Sequence, residues 1–318
     1  MISALGYLGI RSVDLRAWRD LAARVLGAEA LQAQDGSLRL RLDERAQRIA
    51  IEPSQTPGLA FAGLEVANDA AWWETRRLLE RKGLQTHDAS AEERARRQVA
   101  DFFWIADPEG NRIEIFHGAA SAAAPFAPPR PLGGFRTGAL GAGALALTTA
   151  RFAEMSAFYR QTLGFRLSDF HGEPDATVFL RVNPRHHSLA LVATGAAGVH
   201  HVTLEFLDLD DLGRAYDAAL ESAGVAVSLG RRANDHLVSF SSRTPDGFLL
   251  EAGWAGRLVD EDAWKPCEIE SASLWGHQPS GVDERPRTRE TAKAMAAKGV
   301  RAPVELPQAP AAPRRRIR

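Results

Sequence analysis

Shifted by 137 positions, the chain falls on itself, and this internal match limits its possible folds more than any other feature. Asp107-Pro108-x-Gly110-x-x-x-Glu114 aligns with Thr244-Pro245-x-Gly247-x-x-x-Glu251, Leu26-Gly27 with Leu163-Gly164, and Tyr7 with Ala144. A chain with such a repeat folds as a duplication, each half built on the same plan. Within each half a short strand, an amphipathic helix and alternating strands recur, and Gly63-Leu64-Glu65-Val66 opens a second unit as Thr203-Leu204-Glu205-Phe206 does later. Four such units of roughly 50 to 70 residues follow. The first strand reads from Tyr7 to Ile10; Leu15, Trp18, Ala22 and Val25 then make one apolar helical face, and Gly27 ends the helix.

The chain has 318 residues, of which 45% are hydrophobic and 25% charged, enough for two domains that each bury a core. Its formal net charge is −1. No apolar run is long enough to span a membrane and no basic-then-apolar leader opens the chain, so a cytoplasmic protein is expected. Cys267, the single cysteine, has no partner for an internal disulfide and reads as structural. The Ala/Pro tract from Ala119 to Pro131 separates an N-terminal domain, residues 1–130, from a C-terminal domain, residues 131–278. From residue 279 a Pro/Ala-rich tail carries ten Lys/Arg against four acids, +6, which leaves the body at −7. With little to bury, this tail is expected to be mobile, apart from a short helix near Thr291 to Ala297. No aromatic residues interleave its charges, and no nucleic-acid role is assigned to it.

Several tracts carry a family resemblance: Phe61-Ala62-Gly63-x-Glu65-Val66, Ala106-Asp107-Pro108-x-Gly110, Leu163-Gly164-Phe165, Asn183-x-Arg185-His186-His187-x-Leu189-Ala190, Gly230-Arg231-x-x-Asn234-Asp235-His236-x-Val238-Ser239-Phe240 and Ser273-x-Trp275-Gly276-His277. Over residues 1 to about 278 the chain resembles the type I extradiol dioxygenases of the vicinal oxygen chelate superfamily, in particular the 2,3-dihydroxybiphenyl 1,2-dioxygenase branch. The resemblance implies an α+β fold in which four βαβββ modules pair into two cup-shaped domains, with the ligand pocket in the second. It also implies homo-oligomers.

Enzymes of that family hold Fe(II), sometimes Mn(II), with two histidines and a carboxylate. Carried over by position, the second histidine matches His201 and the carboxylate Glu251, but the first falls on Ala144, and no histidine lies between Gly134 and Tyr159. His201 and Glu251 are thus residual ligands of a degenerate site, and no cofactor is expected unless Fe(II) is held by an atypical set. Arg232 stands where the family has a histidine and Ser241 where it has a tyrosine, whereas His187 matches the acid–base histidine. Phe179, Asn234 and Asp235 also match, so the expected ligand pocket comprises Ala144, Phe179, Asn234, His236 and Ser241, with His187, Asp235 and Arg232 as its catalytic groups.

Each residue also has a plainer reading. His201 beside His200 and His187 beside His186 are pairs that line many cores, Asn234-Asp235 suits a turn, and a buried Glu251 needs a partner, either His201 or Arg232. In the first half Tyr7, Phe61 and Glu114 occupy the equivalent positions and make no metal site; Trp72-Trp73 and Trp104 read as core or inter-unit contacts. Three functions remain open. One is a metal-independent enzyme in which Arg232 takes an oxyanion and His187 moves a proton on an aromatic, multi-ring compound. The others are an active Fe(II) extradiol dioxygenase and a non-catalytic binder of aromatic compounds.

Overall fold

The computed structural model describes residues 1–172 and 176–280. The tail and its expected helix near Thr291 lie almost wholly outside them. Two mixed sheets follow one another along the chain, with the modules expected from the duplication. The first module holds β1 (Ile2–Ser12), α1 (Leu15–Asp20), β2 (Glu29–Gln32), β3 (Leu38–Arg41) and β4 (Ile49–Pro53). The second holds β5 (Gly58–Val66), α2 (Asp69–Arg81), β6 (His87–Asp88), α3 (Ala91–Arg97), β7 (Val99–Ala106) and β8 (Arg112–Ala119). In the second half come β9 (Ala144–Thr149), α4 (Phe152–Ala157), β10 (Arg166–His171), β11 (Thr177–Arg181) and β12 (Leu189–Ala193). The last module holds β13 (Gly198–Phe206), α5 (Leu209–Ala218), β14 (Val225–Arg232), β15 (Val238–Arg243) and β16 (Leu249–Trp254), and β17 (Ser273–Trp275) extends its edge.

The sheet orders are β2-β3-β4-β1-β5-β8-β7-β6 and β10-β11-β12-β9-β13-β16-β15-β14-β17. In both, the opening strands of paired modules run antiparallel at the centre, and each is flanked by its module's last strand in parallel. Helix α1 continues as a wider π turn over Leu21–Leu26, and α4 does the same over Phe158–Thr162, the same place after the 137-residue shift. Gly27, at φ +71°, closes the first of them as its sequence position predicts.

Cross-strand register fixes which residues share a face. Tyr7 lies opposite Gly63, and Gly63 opposite Glu114; in the second sheet Ala144 lies opposite Thr203, and Thr203 opposite Glu251. Gly9 pairs with Phe61 as Ala146 pairs with His201. Tyr7, Phe61 and Glu114 are therefore the structural counterparts of Ala144, His201 and Glu251.

The first cup is filled by its own side chains. Tyr7, Phe61, Phe102 and Phe116 pack together, and their rings lie so close to the glycines that a Cβ at Gly63 would sit 2.3 Å from the Tyr7 ring. Glu114, fully buried, accepts from Tyr7 Oη at 2.7 Å and from Arg97 Nε at 2.9 Å, and the Arg97 guanidinium lies 3.3 Å from the Phe61 ring centre. Of the tryptophans, Trp72 is buried in the core, whereas Trp73 is 43% exposed and Trp104 is half-buried.

Reciprocal carboxylates join the halves. Asp246 accepts from Val13 N and Trp18 Nε1 at the start of α1, and its counterpart Glu109 accepts from Thr149 Oγ1, Ala150 N and Arg151 N at the start of α4. The Ala119–Pro131 tract is pinned to the first sheet as well: Arg41 donates to the carbonyls of Ala124 and Pro125. Among the described residues, no helix is long and apolar enough to cross a membrane.

Each carboxylate accepts hydrogen bonds from groups at the approach to the other half's helix, each bond contributing about 1 kcal/mol net. Replacing both Glu109 and Asp246 by Ala is expected to lower Tm by roughly 4–8 °C, with the single variants near half of that. A melting curve unchanged in the double variant would show that the halves dock without these contacts.

Candidate functional site

The second cup is open where the first is full, because its inward positions carry small side chains. Ala144, Ala146 and Ala190 stand on its central strands, and beside Ala190 opens a cavity of about 220 Å³ lined by Phe179, His187, His201, Arg232, Asn234, Asp235 and Glu251, with Thr177, Val192 and Ile269 supplying apolar wall. An apolar cavity of about 150 Å³ holds benzene, so this one has room for a substituted ring or two rings.

Glu251 sits at the base of the cup on β16, 3% exposed. Its Oε1 accepts from Arg232 Nε at 2.8 Å, Arg232 Nη2 at 2.6 Å and Ser239 Oγ at 2.8 Å; its Oε2 accepts from Thr203 Oγ1 at 2.9 Å, with His201 Nε2 at 3.7 Å. Burial opposes its charge, but the Arg232 guanidinium, followed by His201 and the Ser239 hydroxyl, outweighs this and holds the carboxyl well below the usual range. Of the two partners expected for Glu251, Arg232 makes the close contact. The consequence corrects the expected role of Arg232: its fork closes on Glu251 instead of standing open for a ligand's oxyanion.

The Asn183-x-Arg185-His186-His187 tract follows β11 and divides its work. Asn183 Nδ2 donates to the carbonyls of Ser3 and Ala139, and Arg185 donates to those of Leu140 and Arg136 and to Glu205, so both anchor the turn that leads into β9. His187 is thereby fixed against Phe179, ring centres 5.1 Å apart, with Nδ1 3.1 Å from His186 Nδ1 and 3.8 Å from Asp235 Oδ2. Burial pushes the His187 imidazole down to about 4, and the His201 imidazole down to about 3, so both are neutral near pH 7. Burial raises the Asp235 carboxyl, whose Oδ1 accepts from Leu237 N at 3.0 Å.

Three expected pocket residues stand outside this lining. Ala144 borders a separate void of about 20 Å³ between His187, Thr203 and Asp235. Ser241 is buried opposite Glu251 on β15 and does not reach the cavity wall. His236 adopts a left-handed backbone, φ +59°, where the chain turns out of the cup, and its carbonyl accepts from Arg231 Nε. Sequence reasoning missed the Thr203 and Ser239 hydroxyls on Glu251, although both fall on inward positions of their strands. It also missed Asp169, which accepts from His186 Nε2 at 2.8 Å. Among the described residues, no three His, Cys, Asp or Glu side chains gather so as to hold a metal ion.

Residues 5–54 match the family described as dihydroxybiphenyl dioxygenase BphC D1, and residues 141–252 the glyoxalase/bleomycin resistance protein/dioxygenase superfamily. The chain is 38% identical to the biphenyl-2,3-diol 1,2-dioxygenase of Paraburkholderia xenovorans over 87% of its length and 95% of the relative's. It is 35% identical to an iron-dependent extradiol dioxygenase of Rhodococcus jostii, over 87% and 97%. Among solved structures, BphC, a halotolerant catechol dioxygenase, superposes with a TM-score of 0.85 at 32% identity, covering 89% of this chain and 96% of that one. The expectation that no cofactor is used finds no support in these relatives, one of which is named for its iron.

Two measurements probe the site's electrostatics. Removing one partner of a buried ion pair costs about 3–5 kcal/mol, whereas replacing both by apolar groups is near neutral. Arg232→Met is therefore expected to lower the urea-unfolding free energy by about 3 kcal/mol and Arg232→Met with Glu251→Met to recover most of it; a double-variant loss equal to the sum of the Arg232→Met and Glu251→Met losses would mean the pair is not coupled. The second concerns pH. His187 binds a proton near 6.5 when unfolded but only near 4 when folded, so the unfolded state holds more protons between those values and stability falls as pH drops through that window. Thermal melts should be flat from about pH 8 to 6.5 and decline below, by up to about 1.4 kcal/mol per pH unit for this group, and His187→Gln should lessen the decline, with His201, His236 and His277 accounting for part of the rest.

Proposed function

The chain belongs to the extradiol dioxygenase family, and from that premise we propose that its second cup binds a hydroxylated aromatic, multi-ring ligand and carries out acid–base chemistry without a metal. The observation that carries this reading is the pairing of Arg232 with Glu251 beside an alanine at the first-ligand position. A divalent cation held by His201 and Glu251 would need a third protein donor where Ala144 offers a methyl group, and it would lie against a guanidinium already bound to the same carboxylate. The residues present therefore do not fit the two-histidine, one-carboxylate triad of the family. Within the cup, Arg232 supplies the positive charge opposite Glu251.

The same pairing selects the ligand. Arg232 and Glu251 cancel, and His187 and His201 are neutral, so Asp235 is the one lining group of this set left without a matching charge, and the wall suits an uncharged aromatic compound better than an anion. Relatives are named for biphenyl-2,3-diol and 3-methylcatechol, and a cavity of about 220 Å³ accommodates compounds of that kind. A ring hydroxyl placed at His187 would pass its proton to the imidazole; the imidazolium formed would face Asp235, 3.8 Å away. The charge of the ionised oxygen would in turn raise the basicity that burial lowers. We propose a cytoplasmic, homo-oligomeric setting for this activity, in line with the resemblance.

A second reading, an Fe(II) extradiol dioxygenase with atypical coordination, is favoured by the identity to iron-dependent relatives across 87% of the chain and by the presence of His187 and Asp235 in the cavity wall. The proposed reading is tested with biphenyl-2,3-diol as probe, under argon and with a chelator present. Calorimetry should show one site per chain, and the difference absorption spectrum should show the bound diol ionised. His187→Ala should keep the affinity within about threefold and lose the ionisation, since a positioned base acts on the proton rather than on ring binding. Binding without ionisation in the natural chain would leave a non-catalytic binder; no binding without metal would favour the dioxygenase reading.

A further inference from the structure

Behind His187 a second histidine and a carboxylate form a chain of contacts that leads away from the cavity. Asp169, on β10, is fully buried; its Oδ2 lies 2.8 Å from His186 Nε2 and accepts from Arg257 Nη2 at 3.1 Å, and its Oδ1 accepts from Cys267 N at 3.0 Å. A carboxylate taking donors on both oxygens, one of them a guanidinium, is an acceptor only. His186 Nε2 must then carry the proton. A neutral imidazole has one N–H, so His186 Nδ1 is a lone pair, and the nitrogen 3.1 Å from it, His187 Nδ1, must donate. With its one proton on Nδ1, His187 has an unprotonated Nε2, which makes no hydrogen bond among the described residues, on a ring that lines the cavity.

We infer that Asp169 and His186 are positioning residues that set the tautomer of His187, so that the base presented to the ligand is His187 Nε2. The neighbouring pair shows what the carboxylate adds. His200 and His201 also meet through Nδ1 atoms, 2.7 Å apart, but His200 is exposed, and the carboxylate beside the pair, Glu251, stands 3.7 Å from His201 Nε2, beyond hydrogen-bond reach. Trp264 holds the relay in place from the other side: its ring centre is 5.4 Å from that of His186, its Nε1 donates to Ser168 O at 2.8 Å, and the Arg257 guanidinium lies 4.4 Å from the centre of its ring.

The use of this relay rests on the acid–base reading above, but its existence does not, and the experiment reads the resting protein. Long-range 15N–1H correlation spectra of the full chain, labelled at histidine nitrogen, report for each ring which nitrogen is protonated, and the His187 and His186 signals are assigned by their loss in His187→Gln and His186→Phe. In the natural chain at pH 7, His187 should be protonated at Nδ1 and His186 at Nε2. In His186→Phe, which keeps an aromatic ring against Trp264 but removes the acceptor, His187 should shift to the Nε2-protonated form or a mixture. Asp169→Asn, which removes the charge, should mix the tautomers of both rings. His187 protonated at Nε2 in the natural chain, or an unchanged His187 in both variants, overturns the inference. Neither result depends on ligand binding or turnover, so failure of the proposed reaction and failure of the relay are read separately.

Discussion

The ion pair between Arg232 and Glu251 is the contact on which the chemistry of the second cup depends. A carboxylate at the floor of a sheet, 3% exposed, is costly unless a positive charge stands against it. In a metal-binding member of the family that charge would belong to the cation; here a guanidinium fork and two hydroxyls, from Thr203 and Ser239, occupy both oxygens. The first cup answers the same demand in the same way, with Arg97 and the Tyr7 hydroxyl on Glu114. Both halves of the duplication thus neutralise the equivalent glutamate with arginine.

What separates the cups is volume rather than charge. Tyr7 and Phe61 fill the space beside Glu114, whereas beside Glu251 His201 lines an open cavity and Ala144 borders a small separate void. Large rings over Gly9 and Gly63 make the first half a packed support, and its contacts to the second half, through Asp246 and Glu109 and through Asn183 on Ser3, hold the open cup in shape. Pre-formed space, neutral histidines and a cancelled ion pair then favour an aromatic ligand that arrives uncharged.

Much of this was legible in the sequence. The 137-residue shift relates Tyr7 to Ala144 and Glu114 to Glu251 directly, and the strand registers agree. Phe61 and His201 correspond at a separation of 140, so the chain gains three residues between the first and second site positions of the later half. Motif matches placed His187, Asn234, Asp235, Phe179, His201 and Arg232 on one cavity, because alternation on strands keeps such residues on one face. The direction of the Arg232 fork was not legible, since sequence offers no distance between a guanidinium and its carboxylate. Nor was the outward turn of His236, which follows from a left-handed backbone at a residue that is not glycine. Asp169 was hidden for a further reason: its partners Cys267 and Arg257 come from segments about ninety residues away, and it sits in a strand with no local motif.

The claim that Arg232 has taken the place of a metal is tested most directly by titrating the purified chain with Fe(II) and then Mn(II) under anaerobic conditions, with biphenyl-2,3-diol present, and admitting oxygen at the end. With the guanidinium in the metal's place, no stoichiometric metal binding and no ring-cleavage product are expected. Metal bound near one per chain, followed by ring cleavage when oxygen enters, would contradict the claim and make Ala144 a ligand position filled by something other than a histidine.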